Sequence, residues 1–117
     1  MKNHEEKQLL LVDLCARLPY GVYVRYENGG IIETRELGLG TLHDFMFGNA
    51  DIKPYLRPMY SMTEEEKKEY KEVLETLLWT EELDFYNSHH LDYRGLIEKG
   101  LALEAPEGMY VLCMGQK

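Results

Sequence analysis

An α+β fold is predicted by three observations on this 117-residue sequence. Apolar residues recur at helical spacing from residue 4 to 17 and again after Thr63, and a strand-like alternation brackets Asn28-Gly29-Gly30. Near the end, two short alternating runs flank Ala105-Pro106-Glu107-Gly108. The order of these signals predicts an N-terminal helix on a three-stranded antiparallel meander, then two or three helices and a short C-terminal hairpin. The length fits a single domain, residues 1 to 117, in which 1 to 60 form the helix-plus-sheet part and 61 to 117 an acidic helical part with the terminal hairpin.

The first helix is predicted over residues 4 to 17. Asn3 with Glu6 three residues later reads as a capping box, and Leu10, Leu14 and Leu18 form an apolar stripe that Leu11 and Cys15 widen. Pro19 ends it, because the residue before a proline is pushed out of the helical region. The following stretch, "VYVRYENGGIIETRE", predicts a hairpin. A three-residue loop, Asn28-Gly29-Gly30, is preferred: it pairs Arg25 with Glu33 and Tyr26 with Ile32. It also places Val22, Val24, Tyr26, Ile32 and Thr34 on the face toward the helix, and Arg25, Glu33 and Arg35 on the other. The alternative is a two-residue Asn28-Gly29 turn, which sets Val24 opposite Glu33.

A third strand is placed within "LGTLHDFMF", about 39 to 47, followed by the loop "GNADIKPYLRPMYS", whose prolines argue against a central strand. Thr63 and Glu66 form a second capping box, ahead of helix-spaced Tyr70, Val73, Leu74, Leu77 and Leu78. Another helix runs from after Thr80 to about Leu91, burying Leu83, Tyr86 and Leu91, and a short one from Asp92 to Lys99 is stopped by Gly100.

Hydrophobic residues make up 44% and charged ones 29%, a globular composition, with a net charge of -8. Residues 61 to 117 hold six basic and thirteen acidic groups. That surface repels phosphate backbones and anionic lipids, so a conventional basic nucleic-acid footprint is absent, no membrane partner is expected, and the expected protein partner can be a cationic one. Cys15 and Cys113 read as free thiols, Cys15 packed on the helix stripe. "LLLVDL" is too short and too charged in its flanks for a signal or a span, and a cytoplasmic protein is expected.

The densest chemistry lies in "SHHLDYRGLIEKG", residues 88 to 100. His89 and His90 are adjacent and point about 100° apart on a helix, so a metal would have to recruit Asp84, Asp92 or His43, none at i, i+4 from a histidine. Neither Ser61 nor Ser88 sits in a GxSxG turn, and "GGIIETRELGLG" lacks phosphate-loop spacing. Glu64, Glu65, Glu66, Glu69, Glu72 and Glu75 read as a solvated helix face, and Pro54 and Pro58 stand four apart, not at PxxP spacing. The expectation is a protein with no catalytic constellation, cofactor or metal. A small metal-dependent enzyme built on His89, His90 and Asp92 is the minor alternative.

Nine tyrosines against three phenylalanines favour places where a hydroxyl stays wet, and Tyr20, Tyr23, Tyr55, Tyr60 and Tyr93 are candidates for a contact surface. With the neighbouring arginines the candidate surface is Tyr55, Arg57, Tyr60, Tyr93 and Arg94, on a non-enzymatic interaction module that binds a protein and leaves room for a homo-oligomer. Arg94 decides its own segment: pointing outward it marks a surface, tied inward it marks a joint.

Two resemblances add to this. "YRGLIEKGLALEAPEGMYVL" resembles the end of a winged-helix domain, which implies DNA binding through residues 63 to 113 as an alternative function, although the helix offers only Arg94 and Lys99 to a groove. "DLCARLPYGV", "IKPYLRPMYSMTEE" and "DYRGLIEKGLALEAP" together resemble small uncharacterised proteins encoded by gut bacteria and their phages or prophages, over about residues 8 to 110. That likeness implies a bacterial or viral cytoplasmic setting and carries over no functional residue.

Overall fold

The computed structural model describes residues 3–110. It is α+β, with an N-terminal helix, a four-stranded mixed sheet and further helices. Helix α1, His4–Arg17, starts on the Asn3–Glu6 capping box, with both reciprocal hydrogen bonds made. Its buried face is Leu10, Asp13, Leu14 and Arg17, a helical stripe that includes two charged residues. Cys15 is exposed, not packed. The inward face has turned to the side on which Asp13 and Arg17 neutralise each other.

Strands β1, Tyr23–Asn28, and β2, Ile31–Glu36, form the predicted hairpin in a different register. Asn28 pairs with Ile31 and Tyr26 with Glu33, so the loop is the two residues Gly29-Gly30. Both have positive φ, 58° and 89°, the requirement of the tight turns that match strand twist, and two glycines meet it without strain. The one-residue shift moves Ile32 and Thr34 off the core face. Ile31 and Ile32 are exposed, and β2 is an edge strand.

Residues predicted as the third strand form helix α2, Leu39–Met46, which buries Thr41, Leu42 and Phe45 at helical spacing. The third strand is β3, Asp51–Leu56, inside the segment read as a loop, and it lies centrally in the order β2-β1-β3-β4. Pro54 is tolerated there for a geometric reason. The Leu56 carbonyl accepts from Ala105 on the β4 side, so the Pro54 nitrogen, two residues earlier, points to that side too. Pairing with β4, Leu103–Glu104, starts only at Tyr55, and no ladder bond is lost. β4 runs parallel to β3.

Helix α3, Glu64–Glu75, starts on the Thr63–Glu66 capping box, and α4, Trp79–Ser88, follows after a short elbow. The predicted helix over 92 to 99 is absent: the segment is a run of turns in which the Asp92 carboxylate accepts from the Leu96 and Ile97 N–H groups. The helix on which the winged-helix resemblance rests is therefore not formed. The turn after β4 closes one residue later than predicted, from Met109 N–H to the Pro106 carbonyl. The second run of the expected terminal hairpin forms no strand at Met109 and Tyr110, and the rest of it, with Cys113, lies outside the described residues.

The main core packs α1 (Leu10, Leu14) and α2 (Leu42, Phe45) against Val22, Val24, Tyr26, Ile52 and Leu56 of the sheet, closed by Leu96, Leu101 and Ala102. A smaller core of Phe85, Tyr86 and Leu91 holds α4 against Tyr70 and Val73 of α3.

Candidate functional site

The segment His89 to Arg94 joins the two cores, and its reactive groups are spent on that joint. Arg57 N–H donates to the His90 carbonyl and Asp92 N–H to the Arg57 carbonyl, at 2.8 and 2.9 Å, so residues 90–92 extend the sheet past the end of β3. Two buried ionic nodes lie on either side.

In the first, the fully buried Asp13 carboxylate takes Arg17 Nε at 2.7 Å and Arg94 Nε at 3.0 Å. Arg17 Nη2 also donates to the Leu91 carbonyl at 2.8 Å, and both guanidinium groups lie against the Tyr93 ring. Arg94 is thus tied inward, and Tyr93 is stacked on Tyr86 at 4.9 Å. In the second node, Arg57 grips the buried Glu66 carboxylate with two bonds of 2.6 and 2.8 Å and donates to the Ser61 and His89 carbonyls. His89 Nδ1 reaches the same carboxylate at 3.0 Å and Nε2 reaches Glu69 at 3.3 Å. Burial alone would push the Glu66 pKa up, but Arg57, the Thr63 N–H and the His89 charge outweigh it and bring it down to about 2. Glu66, predicted on a solvated face, is the anchor of α3.

His90 adopts a left-handed φ of 60° and stacks on Tyr110 with ring centres 3.9 Å apart. Burial, with the charges of Arg17, Arg57 and His89, lowers its pKa to about 4. Tyr110 in turn places its hydroxyl between two strands, accepting from Tyr23 N–H at 2.9 Å and donating to the Tyr55 carbonyl at 2.7 Å. The β1–β3 ladder stops one pair short of this point, at Val24 and Pro54, so the hydroxyl occupies what would be the next ladder position. Tyr20 donates to Asp84.

Of the predicted contact surface, then, Arg57 is buried, Tyr93 and Arg94 are half-buried and tied into the first node, Tyr55 is half-buried with its carbonyl bonded to Tyr110, and Tyr60 is exposed, at 82%. Neither histidine is hydrogen-bonded to a nucleophile. The Ser61 and Ser88 hydroxyls donate to the Pro58 and Phe85 carbonyls. No group of three or more metal-ligating side chains converges among the described residues. A cleft of about 610 Å³ between α1, the β1–β2 turn and residues 99–101 mixes acidic Glu6, Glu27 and Asp51 with Lys7, Lys53 and Lys99. No helix among the described residues is long and apolar enough to cross a membrane.

The surface that sequence reasoning missed is the α3–α4 elbow. Leu74, Leu77 and Leu78 continue the helix-spaced apolar stripe, yet Leu77 is 89% exposed, and the adjoining Trp79 is 70% exposed. Leu77 also takes a φ of 60°, a conformation that costs a non-glycine residue roughly 1 kcal/mol or more. Exposed Glu72 and Glu81 flank these four apolar residues in sequence, and exposed Glu75 falls among them. The signal was present in "ETLLWTEE": a helix-spaced stripe that continues unbroken through a helix end has more apolar surface than one helix can bury.

Comparison with known proteins returns no matching family model, no matching curated protein and no matching solved structure.

Proposed function

We propose that this chain is a non-enzymatic, cytoplasmic protein-interaction module, phage-related by the resemblance of its three sequence blocks, and that it binds a basic protein through the α3–α4 elbow. The observation that carries the reading is the exposed apolar knob of Leu77, Leu78 and Trp79 beside Glu75 and Glu81. Large contiguous apolar residues on a monomer's surface mark interaction sites, and tryptophan is favoured among binding hot spots. A complementary partner has an apolar groove with a lysine or arginine rim, since carboxylates around the knob steer cations and repel anionic surfaces.

The contact surface expected around Tyr55 to Arg94 moves accordingly. Tyr60 stands at the other end of α3, about 18 Å from the elbow by helix rise, outside this contact. The use of His89, Arg57 and Arg94 in buried pairs, with both serine hydroxyls on backbone carbonyls, supports the non-enzymatic reading.

Trp79 is the single tryptophan, so its emission reports occupancy of the elbow directly. Capture from host cytosol is run in parallel with the native chain and an L77S/W79A chain. The expected result is a basic protein retained by the first and lost from the second, released by salt, whose purified form blue-shifts Trp79 emission. Retention of the same proteins by both chains, or an unshifted Trp79 spectrum in the purified complex, refutes the proposal.

A further inference from the structure

We infer that β2 is a self-pairing edge, through which two copies of this chain join in one antiparallel register centred on Thr34. Three observations fix that register: the unpaired outer side of β2, the direction of its backbone groups, and the order of its charges.

β2 is terminal in the sheet, and among the described residues no strand lies on its outer side. Leu37 N–H donates to the Val22 carbonyl at 2.8 Å, which places the backbone groups of Val22, and of every second residue along β1, toward β2. Their partners Arg35, Glu33 and Ile31 face inward. Ile32, Thr34 and Glu36 therefore turn both N–H and C=O outward, as an unfilled row of three residues.

In an antiparallel pair outward residues must meet outward residues, so β2 can meet its own copy only in registers centred on a residue, not between two. Centring on Glu33 sets two carboxylates face to face, and centring on Arg35 sets two guanidinium groups together. Centring on Ile32 or Glu36 leaves half of the strand unpaired. Thr34 is the remaining centre. It gives the hydrogen-bonded pairs Thr34 with the partner's Thr34 and Ile32 with the partner's Glu36. It also sets Glu33 against the partner's Arg35 twice, at the positions where side chains of an antiparallel pair come closest.

The side chains are already disposed for this. Arg35 and Glu33 share one face, 2.6 Å apart, and Arg35 is held with its guanidinium carbon 3.7 Å from the Tyr26 ring centre. Charges usually guard an edge strand against other strands, but an alternating Glu-Thr-Arg triplet is complementary to its own reverse and does not guard against itself. A six-residue edge is small for an interface, so association depends on concentration.

Sedimentation from micromolar to millimolar concentration tests the inference with the native chain, E33R, R35E, and T34P, which removes an outward N–H without touching the β1 ladder. The native chain is expected to dimerise as concentration rises. E33R and R35E each weaken the dimer by about tenfold or more, while an equimolar mixture of the two regains native-like association, because each supplies the charge that the other lost. T34P stays monomeric with an unchanged far-UV circular dichroism spectrum. A native chain that is monomeric throughout overturns the inference, including the case in which a foreign peptide occupies the edge instead. So does a dimer that is indifferent to all three substitutions, or an E33R and R35E mixture that fails to associate although both chains are folded.

Discussion

Replacing Glu66 with glutamine isolates the charge of the second buried node from its shape. Glutamine keeps the chain length and an oxygen to accept from the Thr63 N–H, so the capping box survives. Arg57, 6% exposed, is left with the Ser61 and His89 carbonyls and no anion in bonding contact for its guanidinium. The native Glu66 pKa falls from 4.5 to about 2, which corresponds to about 3 kcal/mol at neutral pH, and losing one partner of a buried pair costs a similar 3–5 kcal/mol, roughly. The folded-state value is depressed, so this stability is complete above about pH 4.5 and disappears as pH falls through about 2. Urea unfolding followed by circular dichroism should therefore show Glu66→Gln about 3 kcal/mol less stable at neutral pH, a midpoint lower by about 1–3 M at typical urea slopes. The two chains should converge as pH falls toward about 2. A deficit that stays constant from pH 5 downward, or none at neutral pH, refutes the assignment of that energy to the Arg57–Glu66 charge pair.

Three further outcomes are expected. Tyr110→Phe keeps both ring stacks but strands the Tyr23 N–H and the Tyr55 carbonyl, costing about 1–3 kcal/mol and speeding hydrogen exchange at Tyr23. Because burial pushes the native hydroxyl up to about 12, native stability should fall between pH 10 and 12 by a component that Tyr110→Phe lacks. His90 should titrate near pH 4 in an NMR experiment, and since its folded value lies below 6.5, stability from its neutral form is present above 6.5 and lost as pH falls through 4, ahead of the Glu66 component. Leu77→Gly should not destabilise the fold: relief of a positive φ worth roughly 1–2 kcal/mol offsets about 0.5–1 kcal/mol of glycine entropy. It should nevertheless abolish partner capture by the elbow.

Local signals in the sequence were reliable because their physics is local. The capping boxes at Asn3–Glu6 and Thr63–Glu66 each need four residues, and both helices start where those residues say. The misreadings arise where two local patterns compete. "LGTLHDFMF" alternates loosely, yet Thr41, Leu42 and Phe45 also share a helical face, and the space under the sheet is filled by the helix. Pro54 argued against a central strand only while the side to which its nitrogen points was unknown. Least legible were the ionic nodes. Asp13 and Arg17 are visible as an i, i+4 pair, but nothing local shows that Arg94, eighty-one residues on, completes it, or that Arg57 draws Glu66 out of an otherwise solvated acidic face. The same long-range demand drew Arg57, Tyr93 and Arg94 of the candidate contact surface into buried pairs and stacks, and left Tyr60 and the apolar elbow exposed.

The position of the Tyr110 hydroxyl also bears on the order in which the chain can be assembled. Tyr110 follows Tyr23 by 87 residues and Tyr55 by 55, so a ribosome delivers both strands well before the side chain that separates them. Until then β1 and β3 are free to zip one pair further, from Val24 and Pro54 to Tyr23 and Tyr55, and the finished protein contains the unzipped arrangement. A rung closed there would satisfy the same Tyr23 N–H and Tyr55 carbonyl that the Tyr110 hydroxyl bonds in the folded chain. The hydroxyl thus takes the place of that rung, and a chain cut before residue 110 is expected to close it between the central strands β1 and β3, which hydrogen exchange at the Tyr23 N–H would report.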